Sequence, residues 1–241
     1  MAKVWLRELT AENLKNLIIK LGGTLVGFGD VSVGLANELQ HLSCAISIAI
    51  KHSPVEVIKT PKILAYSNQL IGVDKKLKLI QKTVVSILKS YGYKSLAIPP
   101  DSMRDDNRFI AKLYPLFPHK TAATCSGLGW VGKSGLLINE HYGPRLSWAT
   151  VLTDAPLKVS DKPYLTSKCG NCKKCINICP VEAINDWKWV RGLIRPNLNY
   201  SLCREHLERN KQVLGKAICG LCIMVCPRGR DNIKEASTWQ L

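Results

Sequence analysis

Eight of the ten cysteines in this 241-residue chain lie in its last third, in two groups whose spacing suits iron–sulfur clusters. The first group reads C-x2-C-x2-C-x3-C and is followed by proline. The second is a single cysteine and then C-x2-C-x3-C, again with proline directly after. Such short loops wrap the backbone around one face of a cube, and four thiolates bind one [4Fe–4S] cluster. The pattern therefore predicts two clusters and one-electron transfer at low potential.

The two cysteine groups also predict how the ligands are shared. In two-cluster ferredoxins the fourth cysteine of such a run binds the other cluster, and we expect the same exchange here. Cluster one is then bound by Cys169, Cys172, Cys175 and Cys226, and cluster two by Cys179, Cys203, Cys219 and Cys222. Zinc and disulfides fit less well, because zinc favours paired C-x2-C units and disulfides need an oxidising compartment.

The chain is strongly basic, with 34 Lys and Arg against 18 Asp and Glu and a formal net charge of +16. Such an excess suits anionic partners, among them an acidic electron donor, a phosphorylated cofactor or nucleic acid. No apolar run is long enough to cross a bilayer, and the N-terminus has no signal-peptide layout. We therefore expect a cytoplasmic protein with no membrane partner.

Apolar periodicity predicts an alternation of helices and strands along the first two thirds of the chain. Predicted helices cover residues 10–21, 68–89, 105–114 and 119–126. Predicted strands cover residues 24–28, 42–50, 95–98, 136–139 and 146–152, and the apolar run 42–50 is expected to be buried. The expected fold class is α/β (α+β), with a cofactor and substrate domain over residues 1–160. A cluster-binding domain with a short tail follows over residues 161–241.

One glycine-rich loop matches a second pattern. Gly127 to Ser134 fit G-x4-G-K-[ST], the phosphate-binding loop of nucleotide hydrolases. That loop needs a strand before it and a helix after it, whereas here the residues before it look helical and those after it look strand-like. The better interpretation is a loop whose backbone approaches a flat or phosphate-bearing ligand closely. An ATP-dependent reductase and a purely structural turn remain as alternatives.

Five stretches in a fixed order carry a family resemblance. They are GLGWVGKSGLLIN, YGPRLSWATVLTDAPL, CGNCKKCINICPVEAI, Cys203 and CGLCIMVCP. Together they resemble the epoxyqueuosine reductases, relatives of the corrinoid-dependent reductive dehalogenases. The resemblance implies a nitroreductase-like domain that holds cobalamin, a corrinoid, and a ferredoxin-like domain whose two [4Fe–4S] clusters reduce its cobalt. It also places seven residues at the cofactor: Gly127, Leu128, Gly129, Trp130, Gly132, Lys133 and Asp154.

The chain departs from this family in two respects. Leu113 stands where the epoxyqueuosine reductases have an aspartate implicated in proton donation. The chain is also expected to be a short form that lacks the C-terminal helical-repeat domain, which helps to hold tRNA. Both departures weigh against tRNA as the substrate. His119 and Lys120 are the candidates for contacting substrate or cofactor in place of the lost acid, since a histidine can donate a proton near neutral pH.

These observations together predict an iron–sulfur oxidoreductase. Reduced ferredoxin or flavodoxin would supply electrons, and the clusters would pass them to a corrinoid for reductive chemistry on a small or nucleoside substrate. The alternative is a non-enzymatic electron carrier that reactivates the corrinoid of a partner protein.

Overall fold

The computed structural model of the protein describes residues 8–53, 60–100, 117–193, 195 and 197–229. The predicted helix over 105–114, with Leu113, and the end of the tail lie outside these residues. The chain forms two compact units, each built from three stretches of sequence. Unit one comprises Met1–Ile50, Gly72–Leu128 and Ser147–Pro163, and unit two comprises Lys51–Ile71, Gly129–Leu146 and Tyr164–Leu241. The predicted division at residue 160 therefore differs in two stretches, 51–71 and 129–146, which belong to the unit that carries the cluster cysteines.

A four-stranded sheet lies almost wholly in unit one, with the strand order β1-β2-β6-β3. Its strands are β1 (Leu25–Asp30), β2 (Cys44–Lys51), β3 (Ser95–Ile98) and β6 (Leu146–Thr153). The outer pairs are both antiparallel: Leu25 lies opposite Ala49 in one, and Ser95 lies opposite Thr153 in the other. Each of these strands overlaps a predicted one.

Both faces of this sheet are buried in unit one. Alternate residues of β2, from Cys44 to Ile50, pack against α1 (Ala11–Lys20) and the second half of α2 (Thr60–Ser90). The opposite face packs against Phe117 and α3 (His119–Cys125). A strand covered on both faces has no solvent-facing positions, which explains why residues 42–50 are apolar without alternation. The predicted α/β architecture is confirmed.

One of the two predicted long helices begins where the sequence predicts, and the other begins earlier in the chain. Thr10 caps α1 as expected, because its Oγ1 accepts a hydrogen bond from the Asn13 backbone N–H at 3.1 Å. The second helix starts at Thr60 instead of the predicted Asn68. Its first turns belong to unit two, where Ile63 and Tyr66 pack in a separate apolar cluster. The helix therefore changes packing partner along its length, and a single apolar stripe does not run through it.

Unit two contains short elements joined by turns. A hairpin of β4 (Trp130–Val131) and β5 (Leu137–Ile138) precedes three helices, α4 (Lys174–Asn177), α5 (Tyr200–Leu214) and α6 (Leu221–Val225). The eight predicted ligand cysteines lie in or beside these helices. Across the described part of the chain, no helix combines the length and the apolar content that crossing a bilayer requires.

Candidate iron–sulfur site

The first predicted quartet of cysteines is gathered in unit two. Burial raises the pKa of the Cys175 thiol to about 11. Further contributions that raise this pKa come from Cys169, Cys226 and Cys172, in that order. Thiols influence one another in this way only when they lie close together. The structure therefore places Cys226 beside the three cysteines of the first loop. This agrees with the prediction that the last cysteine of each run binds the other cluster.

The second quartet is gathered in the same way. Burial raises the pKa of Cys203, and Cys219 and Cys179 raise it further. Cys222 has its pKa raised to about 12 by burial first, and then by Cys219, Cys175, Cys203 and Cys179. Cys222 also lines the cavity that is bordered by the first quartet, so the two quartets adjoin each other. That each quartet binds a cluster stays a prediction, and the positions of the thiols agree with it.

A small cavity marks the position for cluster one. Its volume is about 40 Å³, and its walls include the four cysteines of the first quartet together with Gly132 and Lys133. A Cβ at Gly132 would lie 2.7 Å from Ile138 Cγ1 and would displace that side chain, and Cys169 Sγ is 3.5 Å from the same point. Among the described residues, no three His, Cys, Asp or Glu side chains are arranged to hold a single ion. Four thiols around a small cavity suit a compact inorganic cluster. The iron atoms at the corners of such a cluster hold the thiolates farther apart than a single ion would.

Backbone geometry holds the cysteine loops in place. The Cys172 N–H donates to the Cys169 carbonyl at 3.2 Å, and this tight turn passes through Gly170 at φ +56°. Further along, the Ala183 N–H donates to Cys179 Sγ at 3.3 Å. An amide that points at a cluster thiolate stabilises its charge, and such bonds are among the groups that set a cluster's reduction potential.

A buried arginine fixes the position of Cys226. Arg145 is 4% exposed, and its guanidinium donates to the backbone carbonyls of Arg228 at 2.8 Å and Cys226 at 2.9 Å. It also donates to the Met224 carbonyl at 3.3 Å. These carbonyls lie at and beyond the C-terminal end of α6, where no helical N–H is available to them. Arg145 was not predicted as a site residue, although it lies in one of the five quoted stretches.

A buried lysine lies against the first cysteine loop. Lys133 is 2% exposed, and its Nζ donates to the Cys172 carbonyl at 3.1 Å. The same Nζ forms an ion pair with Asp186 Oδ1 at 2.6 Å, and Lys173 pairs with the other carboxylate oxygen at 2.7 Å. Hydrogen bonds from Lys133 and then Lys173 lower the pKa of Asp186 to about 2. Asp186 was not predicted, because nothing in its local sequence distinguishes it from a surface acid.

The residues predicted to line a corrin belong to both units. Gly132 and Lys133 line the cysteine cavity, whereas Gly127, Leu128 and Asp154 belong to unit one. Asp154 Oδ1 accepts a hydrogen bond from the Lys94 N–H at 2.8 Å and so joins the end of β6 to the start of β3.

The two remaining loop residues have structural positions. Gly129 lies against the Ile138 carbonyl, where a Cβ would collide. Trp130 is fully buried, opposite Ile138 in the hairpin and 5.6 Å from the Tyr164 ring. Both residues therefore support the hairpin, and the corrin-lining role of the loop stays a prediction.

The nucleotide-loop alternative is wrong for residues 127–134. The helix α3 precedes the loop, and strand residues lie both within it and directly after it. A phosphate-binding loop requires the opposite order, and its lysine must reach the phosphates. Here Lys133 is engaged with Asp186 and the Cys172 carbonyl instead.

His119 has a structural position in unit one. It is 6% exposed, and its Nε2 lies 2.9 Å from the Pro99 carbonyl, which can only accept. In the neutral ring Nε2 therefore donates, and Nδ1 accepts from the Thr150 hydroxyl at 2.8 Å. This joins α3 to the two neighbouring strands β3 and β6. Both ring nitrogens are used in this way, which weighs against the predicted role in proton donation. Lys120 is half-buried beside it.

Replacing His119 with alanine is expected to lower the free energy of unfolding by about 1–3 kcal/mol, because two buried polar groups lose this partner. Urea denaturation under anaerobic conditions measures the change. The control is Lys120→Ala, which should change stability by less than about 0.5 kcal/mol. A His119→Ala protein with unchanged stability but lost turnover would restore the catalytic hypothesis.

Comparison with known proteins agrees with the double-cluster site. The family described as "4Fe-4S double cluster binding domain" matches residues 168–229. An epoxyqueuosine reductase from Synechocystis sp. is 32% identical over 118 residues, which are 45% of this chain and 38% of that protein. The tetrachloroethene reductive dehalogenase of Sulfurospirillum multivorans is 30% identical over 120 residues, 45% of this chain and 23% of the dehalogenase. The chain thus matches about two fifths or less of the length of these curated relatives.

Solved structures show the same relationship at the level of the fold. The epoxyqueuosine reductase from Streptococcus thermophilus has a TM-score of 0.56 at 16% identity, covering 91% of this chain and 66% of that protein. A catabolic reductive dehalogenase has a TM-score of 0.68 at 18% identity, covering 94% of this chain and 33% of the dehalogenase. The resemblance predicted from the ordered motifs is confirmed, together with a domain for two 4Fe-4S clusters.

Proposed function

We propose that this relative of the epoxyqueuosine reductases passes single electrons through two [4Fe–4S] clusters to a corrinoid held by another protein. The observation that carries the proposal is the pair of adjoining thiol quartets in unit two, each with four cysteines. Two adjacent clusters form a short path along which an electron can move. Such clusters are suited to low potentials, where the reduction of cobalt takes place.

The choice of a corrinoid as the acceptor rests on the relatives. One reductive dehalogenase with a TM-score of 0.63 is described as acting by B12-dependent dehalogenation. Two residues of the predicted corrin-lining set, Gly132 and Lys133, line the cysteine cavity instead. That placement favours a corrinoid bound elsewhere over one seated on residues 127–133.

A second function is supported by the sequence identity to complete enzymes. The epoxyqueuosine reductase of Atelocyanobacterium thalassa is 35% identical over 122 residues, 49% of this chain and 39% of that protein. In this second proposal the chain binds a corrinoid itself and carries out reductive chemistry on a small or nucleoside substrate. Both proposals need the same two clusters, and they differ in which protein holds the corrinoid.

The proposed electron donor is a small acidic protein, a reduced ferredoxin or flavodoxin. The net charge of +16 supports this choice, since a basic surface steers an acidic partner into productive encounters. The proposal includes no membrane partner and assigns no role to tRNA.

Anaerobic reconstitution tests the proposal directly. The purified protein is expected to contain about eight irons and eight acid-labile sulfides per chain. Hydroxocobalamin is then added, and the protein is separated by gel filtration and examined for a bound corrinoid spectrum. We expect no retained corrinoid but fast reduction of cobalt in an added corrinoid protein when the donor is supplied. The control is Cys203→Ala, which should lose this electron transfer.

The other outcomes decide between the two functions. A retained corrinoid spectrum, with turnover of an epoxide or organohalide substrate, would support the second function and contradict the first. Zinc in place of iron, or only about four irons per chain, would contradict both.

A further inference from the structure

Buried positive charge is distributed unequally around the two cysteine quartets. Among the described residues, the buried lysine and arginine side chains are Lys133 and Arg145. Each donates to the backbone carbonyl of a cluster-one cysteine, Lys133 to Cys172 at 3.1 Å and Arg145 to Cys226 at 2.9 Å. Both cations therefore lie beside cluster one.

The surroundings of the second quartet are more apolar. Ile63 and Tyr66 form an apolar cluster with residues of α6 and of the segment before it, among them Ile218, Leu221 and Ile223. Ile218 directly precedes Cys219 in the chain, and Leu221 and Ile223 lie on either side of Cys222. Arg145 reaches the edge of this apolar cluster through its hydrogen bond to the Met224 carbonyl at 3.3 Å, whereas Lys133 contacts the Cys172 carbonyl and Asp186.

This difference has a direct electrostatic consequence. Reduction adds one negative charge to a cluster that already carries the charge of four thiolates. A nearby buried cation lowers the free energy of that reduced form, and it is screened less than a surface cation. Hydrogen bonds and charges around the ligands are recognised means of setting a cluster's potential.

The geometry points to Lys133 as the residue that makes cluster one the higher-potential cluster of the pair. An electron shared between the two clusters then rests on cluster one at equilibrium. Cluster one becomes the side from which the acceptor is reduced. This inference rests on the proposed function, since it requires that both quartets bind a cluster.

The charge of Asp186 should affect the potential of cluster one in the opposite direction. Its carboxylate pairs with Lys133 at 2.6 Å and so offsets part of the lysine charge. Asp186 is 40% exposed, and its other oxygen pairs with Lys173, which is 58% exposed. Loss of Lys133 should lower the potential of cluster one, whereas loss of the Asp186 charge should raise it.

Potentiometric titration followed by electron paramagnetic resonance tests this. In Lys133→Met the equilibrium constant for reducing cluster one is expected to fall at least tenfold, which is about 59 mV for a one-electron couple. Asp186→Asn should shift the same signal in the opposite direction. The matched control is Lys173→Met, which removes the exposed partner of the same carboxylate and should shift the potential by less than a third as much. Cys203→Ala identifies the signal of cluster two, which should stay in place in all three variants.

The results separate this inference from the proposed function. Iron and sulfide are assayed on every sample, and a wild-type protein with fewer than about eight irons would overturn both. Eight irons with no shift in Lys133→Met, or equal shifts of both clusters, would overturn the inference alone. An equal shift in Lys173→Met would also overturn the inference alone, because an exposed lysine would then change the potential as much as the buried one. If Lys133→Met does not assemble its clusters, the sign of the Asp186→Asn shift decides.

Discussion

Replacing Cys226 with alanine is expected to remove the same cluster that Cys172→Ala removes, although the two residues lie in different loops. Cys226 is placed with the first quartet by its influence on the pKa of Cys175, and it lines the cavity of cluster one. Loss of one of the four thiolates weakens the binding of the cube, so the iron content should fall from about eight towards about four per chain. Iron analysis and electron paramagnetic resonance of the reduced variants measure this.

The comparison with a third variant makes the test specific. Cys203→Ala should remove the other signal, because Cys203 lies with Cys219 and Cys179. Cys125→Ala is the control, since that cysteine belongs to unit one and should keep about eight irons. If Cys226→Ala and Cys203→Ala lost the same signal, the exchange of ligands between the two loops would be wrong.

Replacing Arg145 with methionine is expected to destabilise unit two and to loosen cluster one. Three backbone carbonyls, those of Met224, Cys226 and Arg228, lose a charged donor at a site that is 4% exposed. Each hydrogen bond to a charged group contributes about 1.5–3 kcal/mol to stability. A methionine at this position fills the volume of the arginine but cannot donate these hydrogen bonds. We expect a loss of about 3 kcal/mol or more. In a chain of this size that lowers the melting temperature by roughly 6–12 °C.

Anaerobic thermal unfolding, with iron analysis of the same samples, measures both effects. The matched control is Arg204→Met, the same substitution at an exposed position of α5, which should change stability by less than about 0.5 kcal/mol. Equal melting temperatures and full iron content in Arg145→Met would show that the α6 carbonyls and Cys226 hold their positions without the guanidinium.

Much of this protein could be predicted locally. The cap at Thr10, the buried strand at 42–50 and the short helix after Pro118 depend on contacts between near neighbours in sequence or on burial alone. The cysteine spacing is local as well, because a loop that binds one face of a cube must return a thiolate every three residues. Even the placement of Cys226 followed from that geometry, since the fourth cysteine of a run faces away from its own loop.

The roles of the polar residues needed the tertiary structure. Lys133 was predicted to meet a cofactor, but its partners are Asp186 and the Cys172 carbonyl, both distant in sequence. The glycine loop was predicted to line a cofactor, and the structure adds that unit one ends at Leu128 and unit two begins at Gly129 within this loop. No spacing rule anticipates either result, because each depends on which distant segments the fold brings together.

The sequence by itself determined the two sets of four thiols and the layered α/β framework, because both follow from short-range spacing and from which positions exclude water. Only the tertiary structure decided that stretches 51–71 and 129–146 join the cysteine-bearing unit and that Lys133 and Arg145 lie beside one quartet. A buried charge must find its partners among whatever backbone the fold places around it, and those partners are set by long-range packing.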